Sequence, residues 1–208
     1  MSFLDKFKCL GKQNNDSALN QISSTLPVNE EIAKTILNKL GNKTSKVVFD
    51  KDIKNSYYVY FKDTIYISES RRNNKYTRVC LIAHECAHSM QSKGLQRVNF
   101  ILSNIEILAF IICFIFILVS KIDNIFYIYL LFCIISIIPR GILEVDAIKK
   151  SLNISSNYLK PILNNKDYNL IMYAYTRQIK FLMPFAIITL FFEKILRCLI
   201  LFLLTFLI

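Results

Sequence analysis

"LIAHECAHSMQ", residues 81–91, holds both histidines of this 208-residue chain, four positions apart, with a glutamate directly after the first. On a helix, side chains at i and i+4 stack one turn apart on a single face. His84 and His88 can therefore bind one Zn2+ through their ring nitrogens. Glu85 then projects beside them, placed to take a proton from water at the metal. The stretch from about Tyr76 to Ser92 reads as that helix, with Asn73 or Asn74 in position to cap it and Gly94 to end it. Val79, Ile82, Ala83, Cys86 and Met90 form a separate apolar stripe suited to packing on a sheet. That stripe turns Cys86 away from the metal.

A catalytic zinc needs a third protein ligand and an open position. The chain has no third histidine, so the ligand must be Glu, Asp or Cys. "PRGILEVDAIKKSL", residues 139–152, supplies two candidates in a helical pattern, Glu144 first and Asp146 second. Both also read as ordinary acids in the first turn of a helix, where the helix dipole favours them.

Outward from this core the chain is 53% hydrophobic, too apolar for an ordinary soluble domain of this length. Residues 98–139 hold only one of the 26 Lys and Arg residues, Lys121, whereas residues 1–97 hold 16 and residues 140–180 hold seven. Two apolar blocks, "ILAFIICFIFILVS" and "NIFYIYLLFCIISIIP", flank the turn "KID" and predict a transmembrane hairpin over 98–139. Residues 181–208 predict a C-terminal transmembrane helix interrupted by Glu193 and Lys194, with Glu193 able to pair with Arg197 at i+4. Glu106 and Lys194 are a further pair that can meet inside such a bundle. The two basic flanks place the part carrying the histidines in the cytoplasm, and a hairpin returns the chain to the side it left. The net charge of +11 has the same source, and no aromatic-basic motif points to nucleic acid.

Residues 1–26 read as an amphipathic N-terminal segment (Phe3, Leu4, Phe7 and Leu10 at helical spacing) followed by a polar linker over 11–26, without the apolar core of a secretory signal. "NEEIAKTILNKLG" predicts a helix from Asn29 with a stripe of Ile32, Ile36, Leu37 and Leu40 and a stop at Gly41. "SKVVF", "SYYVYF" and "TIYIS" predict a small antiparallel sheet turning near Lys62 and Asp63. "TIYIS" is expected at its edge, where an extended peptide can dock. The six cysteines fit no zinc-ribbon or redox spacing and read as free thiols. The expectation is an α+β protein. It has a catalytic part at 27–97, a membrane hairpin at 98–139, a cytoplasmic helical part at 140–180 and a membrane helix at 181–208.

"LIAHECAHSMQ", a membrane hairpin and then "ILEVDAIKKSL" together resemble the YugP-like neutral zinc metallopeptidases, over about residues 28–208. The family usually carries Gly where Ala87 stands. The resemblance implies a zincin-like fold and zinc held by His84, His88 and Glu144. It further implies Glu85 as the catalytic base and Asp146 in support from outside the ligand set. The implied activity is hydrolysis of peptide bonds in a peptide or protein substrate at the cytoplasmic face of a lipid membrane. Arg140, Tyr173, Tyr175 and Arg177 are the conceivable oxyanion donors. The alternative keeps the zinc without catalysis, in a membrane scaffold or quality-control adaptor stapled by a closed metal site.

Overall fold

The computed structural model describes residues 16–50, 52–53, 56–68, 75–120 and 125–207. The N-terminal amphipathic segment, the Asn73/Asn74 cap and the 121–123 turn lie outside those residues. Helices α1 (Asp16–Ser24) and α2 (Asn29–Lys39) lead to strands β1 (Lys46–Asp50), β2 (Tyr57–Val59) and β3 (Thr64–Ser68). Helices α3 (Arg78–Ser89), α4 (Lys93–Ser120), α5 (Ile125–Leu159) and α6 (Asn165–Leu207) follow. The chain divides into two compact units, Met1–Gln91 with Val145–Met183 and Ser92–Glu144 with Pro184–Ile208.

In the first unit, α2 begins at Asn29 with Glu30 and Glu31 in its first turn and buries Ile32, Ala33, Ile36 and Leu37. It stops because Gly41 takes φ 69°, which costs a glycine nothing. The amides of Gly41 and Asn42 then return to the carbonyls of Asn38 and Leu37, closing the last turn. The sheet is mixed rather than antiparallel. Its order is β1-β3-β2, with β1 parallel and β2 antiparallel to β3. "TIYIS" is therefore the central strand, and the edge expected there belongs to β1 and β2. The reason lies in burial: Ile65 and Ile67 are wholly enclosed, and a strand so apolar gains most when paired on both sides. "SYYVYF" is a strand only over Tyr57–Val59 before a 3-10 turn, Tyr60–Lys62, that ends at Asp63 with φ 43°.

Helix α3 packs on α2, β2 and β3 through Val79, Ile82, Ala83 and Cys86, all buried. A side chain such as Ile82, removed from water, contributes about 1.5–3 kcal/mol. Met90 does not belong to this stripe, since it lies past the helix end and is exposed. Gly94 does not end α3 either; it sits in the first turn of α4, where a Cβ would meet only the Ser92 hydroxyl, at 3.6 Å. Residues 16–24 form a helix instead of a linker. Leu19 and Leu26 are buried, and the Arg78 guanidinium, itself buried, donates to the Ser23 hydroxyl and carbonyl, the Leu26 and Pro27 carbonyls and Asn29 Oδ1. A buried guanidinium needs its donors satisfied; Arg78 thereby recruits α1 and the α1–α2 turn to the start of α3.

The second unit contains most of the apolar sequence. Two helices are long and apolar enough to cross a membrane, Lys93–Val119 and Ile125–Leu159. The latter is unbroken through Pro139, where a helix boundary was expected. A proline withholds one amide, a loss that helices in an apolar layer absorb through their neighbours. Helix α6 likewise starts at Asn165 and runs through the 180–181 boundary. Cys113, Ile117, Tyr129, Cys133 and Leu201 form the unit's core. At its centre the Glu106 carboxylate, 1% exposed, accepts from Lys194 Nζ at 2.8 Å, from Arg197 Nη1 at 2.9 and 3.0 Å and from the Tyr129 hydroxyl. Lys194 also donates to Ser136 Oγ. The Glu106–Lys194 pair is as expected. Arg197 turns to Glu106 instead of Glu193, which is exposed, because the enclosed carboxylate is the stronger partner.

Candidate metal centre

Helix α3 places His84 and His88 as its spacing dictates, with Nε2 to Nε2 at 3.1 Å and the rings at 88° to one another. Two nitrogens each about 2.0–2.1 Å from one tetrahedral ion would lie about 3.3 Å apart. The observed separation is close to that, and it is also the length of a hydrogen bond between the two rings. One ligand atom from each of His84, His88 and Glu144 lies within 4.8 Å of the others, a group able to hold a metal ion. Two imidazole nitrogens and one carboxylate oxygen are a donor set that a metal ion such as zinc accepts. Glu144 is carried there by α5, one residue before Val145 in the same unbroken helix.

Glu85 is 5% exposed, and its Oε2 accepts from the Tyr58 backbone amide at 2.9 Å. Tyr58 pairs with Ile65 of β3 in register. In an antiparallel ladder the amides of such a residue point either at the partner or away from it. The Tyr58 amide points away, and Glu85 takes it. Beneath β2, Asp63 accepts from the hydroxyls of Tyr58, Ser45 and Thr44 and so stiffens the turn leading into β3. Burial, and then the bond to Asp63, hold the Tyr58 phenol above its usual range, so it stays protonated.

Asp146, expected to support a ligand, is linked to His88 through one intervening side chain. Its Oδ2 accepts from Gln91 Nε2 at 2.9 Å and from Lys150 Nζ at 2.9 Å, while Gln91 Oε1 lies 2.8 Å from His88 Nδ1. Sequence reasoning gave Gln91 no role. Its position three residues after His88, just past the end of α3, is the signal that was available. Cys86 is no ligand. Its sulfur faces the Ala33 carbonyl of α2, and burial pushes the thiol far above the usual range, so it offers no thiolate.

Of the conceivable oxyanion donors, Tyr175 is spent elsewhere, its buried hydroxyl donating to the Tyr76 carbonyl. Tyr173 and Arg140 are exposed.

Comparison with protein-family models, with curated proteins and with solved structures gives no match.

Proposed function

We propose that this chain is a membrane-bound, zinc-dependent metallopeptidase of the HExxH type, with a zincin-like catalytic part facing the cytoplasm and similar to the YugP-like peptidases. One observation carries the reading: two imidazoles and a carboxylate converge within 4.8 Å, with a second, buried carboxylate adjacent in the sequence to the first histidine. His84 and His88 would hold the ion through ring nitrogens, and Glu144 through a carboxylate oxygen. When bound, zinc supplies Lewis acidity for the scissile carbonyl and makes water acidic near neutral pH. Glu85 accepts the proton of the attacking water and hands it to the leaving amine. Its tie to the Tyr58 amide fixes the carboxylate's orientation. The two apolar helices hold the site at a membrane, with α6 as a third crossing.

The test is turnover of an unfolded model protein by the purified full-length chain. Glu85→Gln should keep its zinc and lose about 10²–10⁴-fold in rate. A Glu85→Gln protein that cleaves at the native rate overturns the mechanism. The non-catalytic scaffold differs in its metal geometry: a cobalt-substituted sample showing four protein ligands and no water position would favour it.

A further inference from the structure

Resting on the metal-site reading above, the hydrogen-bond chain at its rim carries one further step: we infer that Gln91 is a positioning residue that selects the tautomer of His88 and passes the support of Asp146 to it. An amide side chain can be placed either way round, with oxygen and nitrogen exchanged. Here the far end decides. Asp146 offers carboxylate oxygens, which only accept, so the atom 2.9 Å from Oδ2 is the Gln91 nitrogen. The atom 2.8 Å from His88 Nδ1 is then the Gln91 oxygen, which also only accepts. His88 must therefore carry its hydrogen on Nδ1, and its lone pair stands on Nε2, the nitrogen that faces His84 Nε2. Lys150 closes the chain by donating to the same Asp146 oxygen.

The arrangement differs from a carboxylate bonded directly to a ligand histidine. Gln91 is 6% exposed, and the atom it sets against His88 Nδ1 is a neutral amide oxygen. A neutral acceptor fixes the ring's orientation and tautomer, as a carboxylate would. It adds no negative charge, so it withholds the extra donor strength that a carboxylate would lend the imidazole. An ion held there would remain a stronger Lewis acid. All the residues concerned, His84, His88, Gln91, Asp146 and Lys150, fall in the first unit.

The chain contains only two histidines, so 15N-histidine labelling of the full-length protein gives two imidazole patterns. In metal-free protein, long-range 1H–15N correlation should show one ring, assigned by a His84→Ala sample, protonated at Nδ1. Gln91→Leu should abolish that preference and weaken zinc binding about 10–100-fold. Gln91→Glu alone sets two carboxylates against each other and should also weaken binding. The double variant Gln91→Glu, Asp146→Asn restores an acceptor–donor chain, and should recover both the Nδ1–H signature and most of the zinc affinity. A merely structural role would not move the tautomer or be rescued by this exchange. Gln91→Leu with His88 still protonated at Nδ1 and zinc affinity within twofold of wild type overturns the inference. Failure of the wild type to bind zinc at all overturns the metal reading instead, and the metal-free tautomer then still decides the role of Gln91.

Discussion

Replacing Glu106 by Gln keeps the side chain's size and shape and removes one charge. The carboxylate is 1% exposed and accepts from Lys194, 8% exposed, and from the Arg197 guanidinium. Without it two cations face each other in an apolar unit, with the Ser136 and Tyr129 hydroxyls as their nearest polar company. Breaking a buried ion pair by removing one partner costs about 3–5 kcal/mol, because the remaining charge is stranded. Arg197 is the less costly of the two to strand, since 28% of its side chain is already exposed and can reach outward; Lys194 is the costly one. For a chain of this size each kcal/mol shifts the midpoint by about 2–4 °C, so Glu106→Gln should melt about 6–20 °C below wild type in the same detergent. Adding Lys194→Met removes the stranded ammonium and should recover part of the loss, giving a coupling energy between the two sites. The measurement is thermal unfolding followed by circular dichroism. A Glu106→Gln protein melting within about 2 °C of wild type would refute the view that this carboxylate holds α4 to α6.

Three other outcomes are expected. Glu144→Ala should lower zinc affinity by more than the loss of an indirect partner does, at least about 100-fold by competition with a chelating dye; equal affinities would remove Glu144 from the ligand set. Cys133 and Cys198 lie with sulfurs 3.7 Å apart, so mild oxidation of the folded protein should join them within one chain. Intact mass should then fall by about 2 Da with two thiols lost, and a chain that keeps both thiols would contradict the α5–α6 packing. Burial raises the Cys80 thiol from 9.0 to about 11. A raised thiol stabilises the fold fully below pH 9, loses that contribution as pH climbs from 9 to about 11, and changes nothing beyond. The loss amounts to about 2–3 kcal/mol, and denaturant midpoints of Cys80→Ala should fall less steeply over that window than those of wild type.

Features that live within one element were legible from residue spacing. The α3 stripe, the Gly41 stop and the shared face of His84 and His88 all follow from 3.6 residues per turn. The turn at Lys62 and Asp63 follows from its residue types. What required the folded chain was pairing across long separations. Strand order depends on burial that only the folded chain shows; "TIYIS" and "SKVVF" are alike in length, and it is in β3 that Thr64, Ile65 and Ile67 are enclosed. Residues 11–26 looked like a linker because their polarity was read in isolation. Arg78, 55 residues from Ser23, supplies the donors that make a polar helix at 16–24 worth ordering. Four of its five acceptors are main-chain carbonyls or a serine hydroxyl, groups that leave no mark in a sequence.

The same distinction runs through the site. The candidate ligands were legible, since imidazoles at i and i+4 announce themselves and Glu144 was the first of the acidic candidates after the hairpin. The atoms that orient those ligands were not. Glu85 is tied to the backbone of Tyr58, 27 positions away, and any residue but proline would supply that amide. Asp146 was expected in support of the site, and it reaches His88 through Gln91, 55 positions from it. Geometry forces that relay. Glu144 and Asp146 are two residues apart on α5, roughly 200° around a helix axis at 100° per residue, so they cannot both face one imidazole directly. If Glu144 takes the metal side, the Asp146 carboxylate is carried past it, and a side chain from the turn after α3 has to bridge the remaining distance. Gln91 is long enough, donates at one end and accepts at the other. A Glu144→Asp, Asp146→Glu exchange, which keeps both charges but shortens the first reach and lengthens the second, should therefore lose metal affinity even though the residues involved are chemically the same.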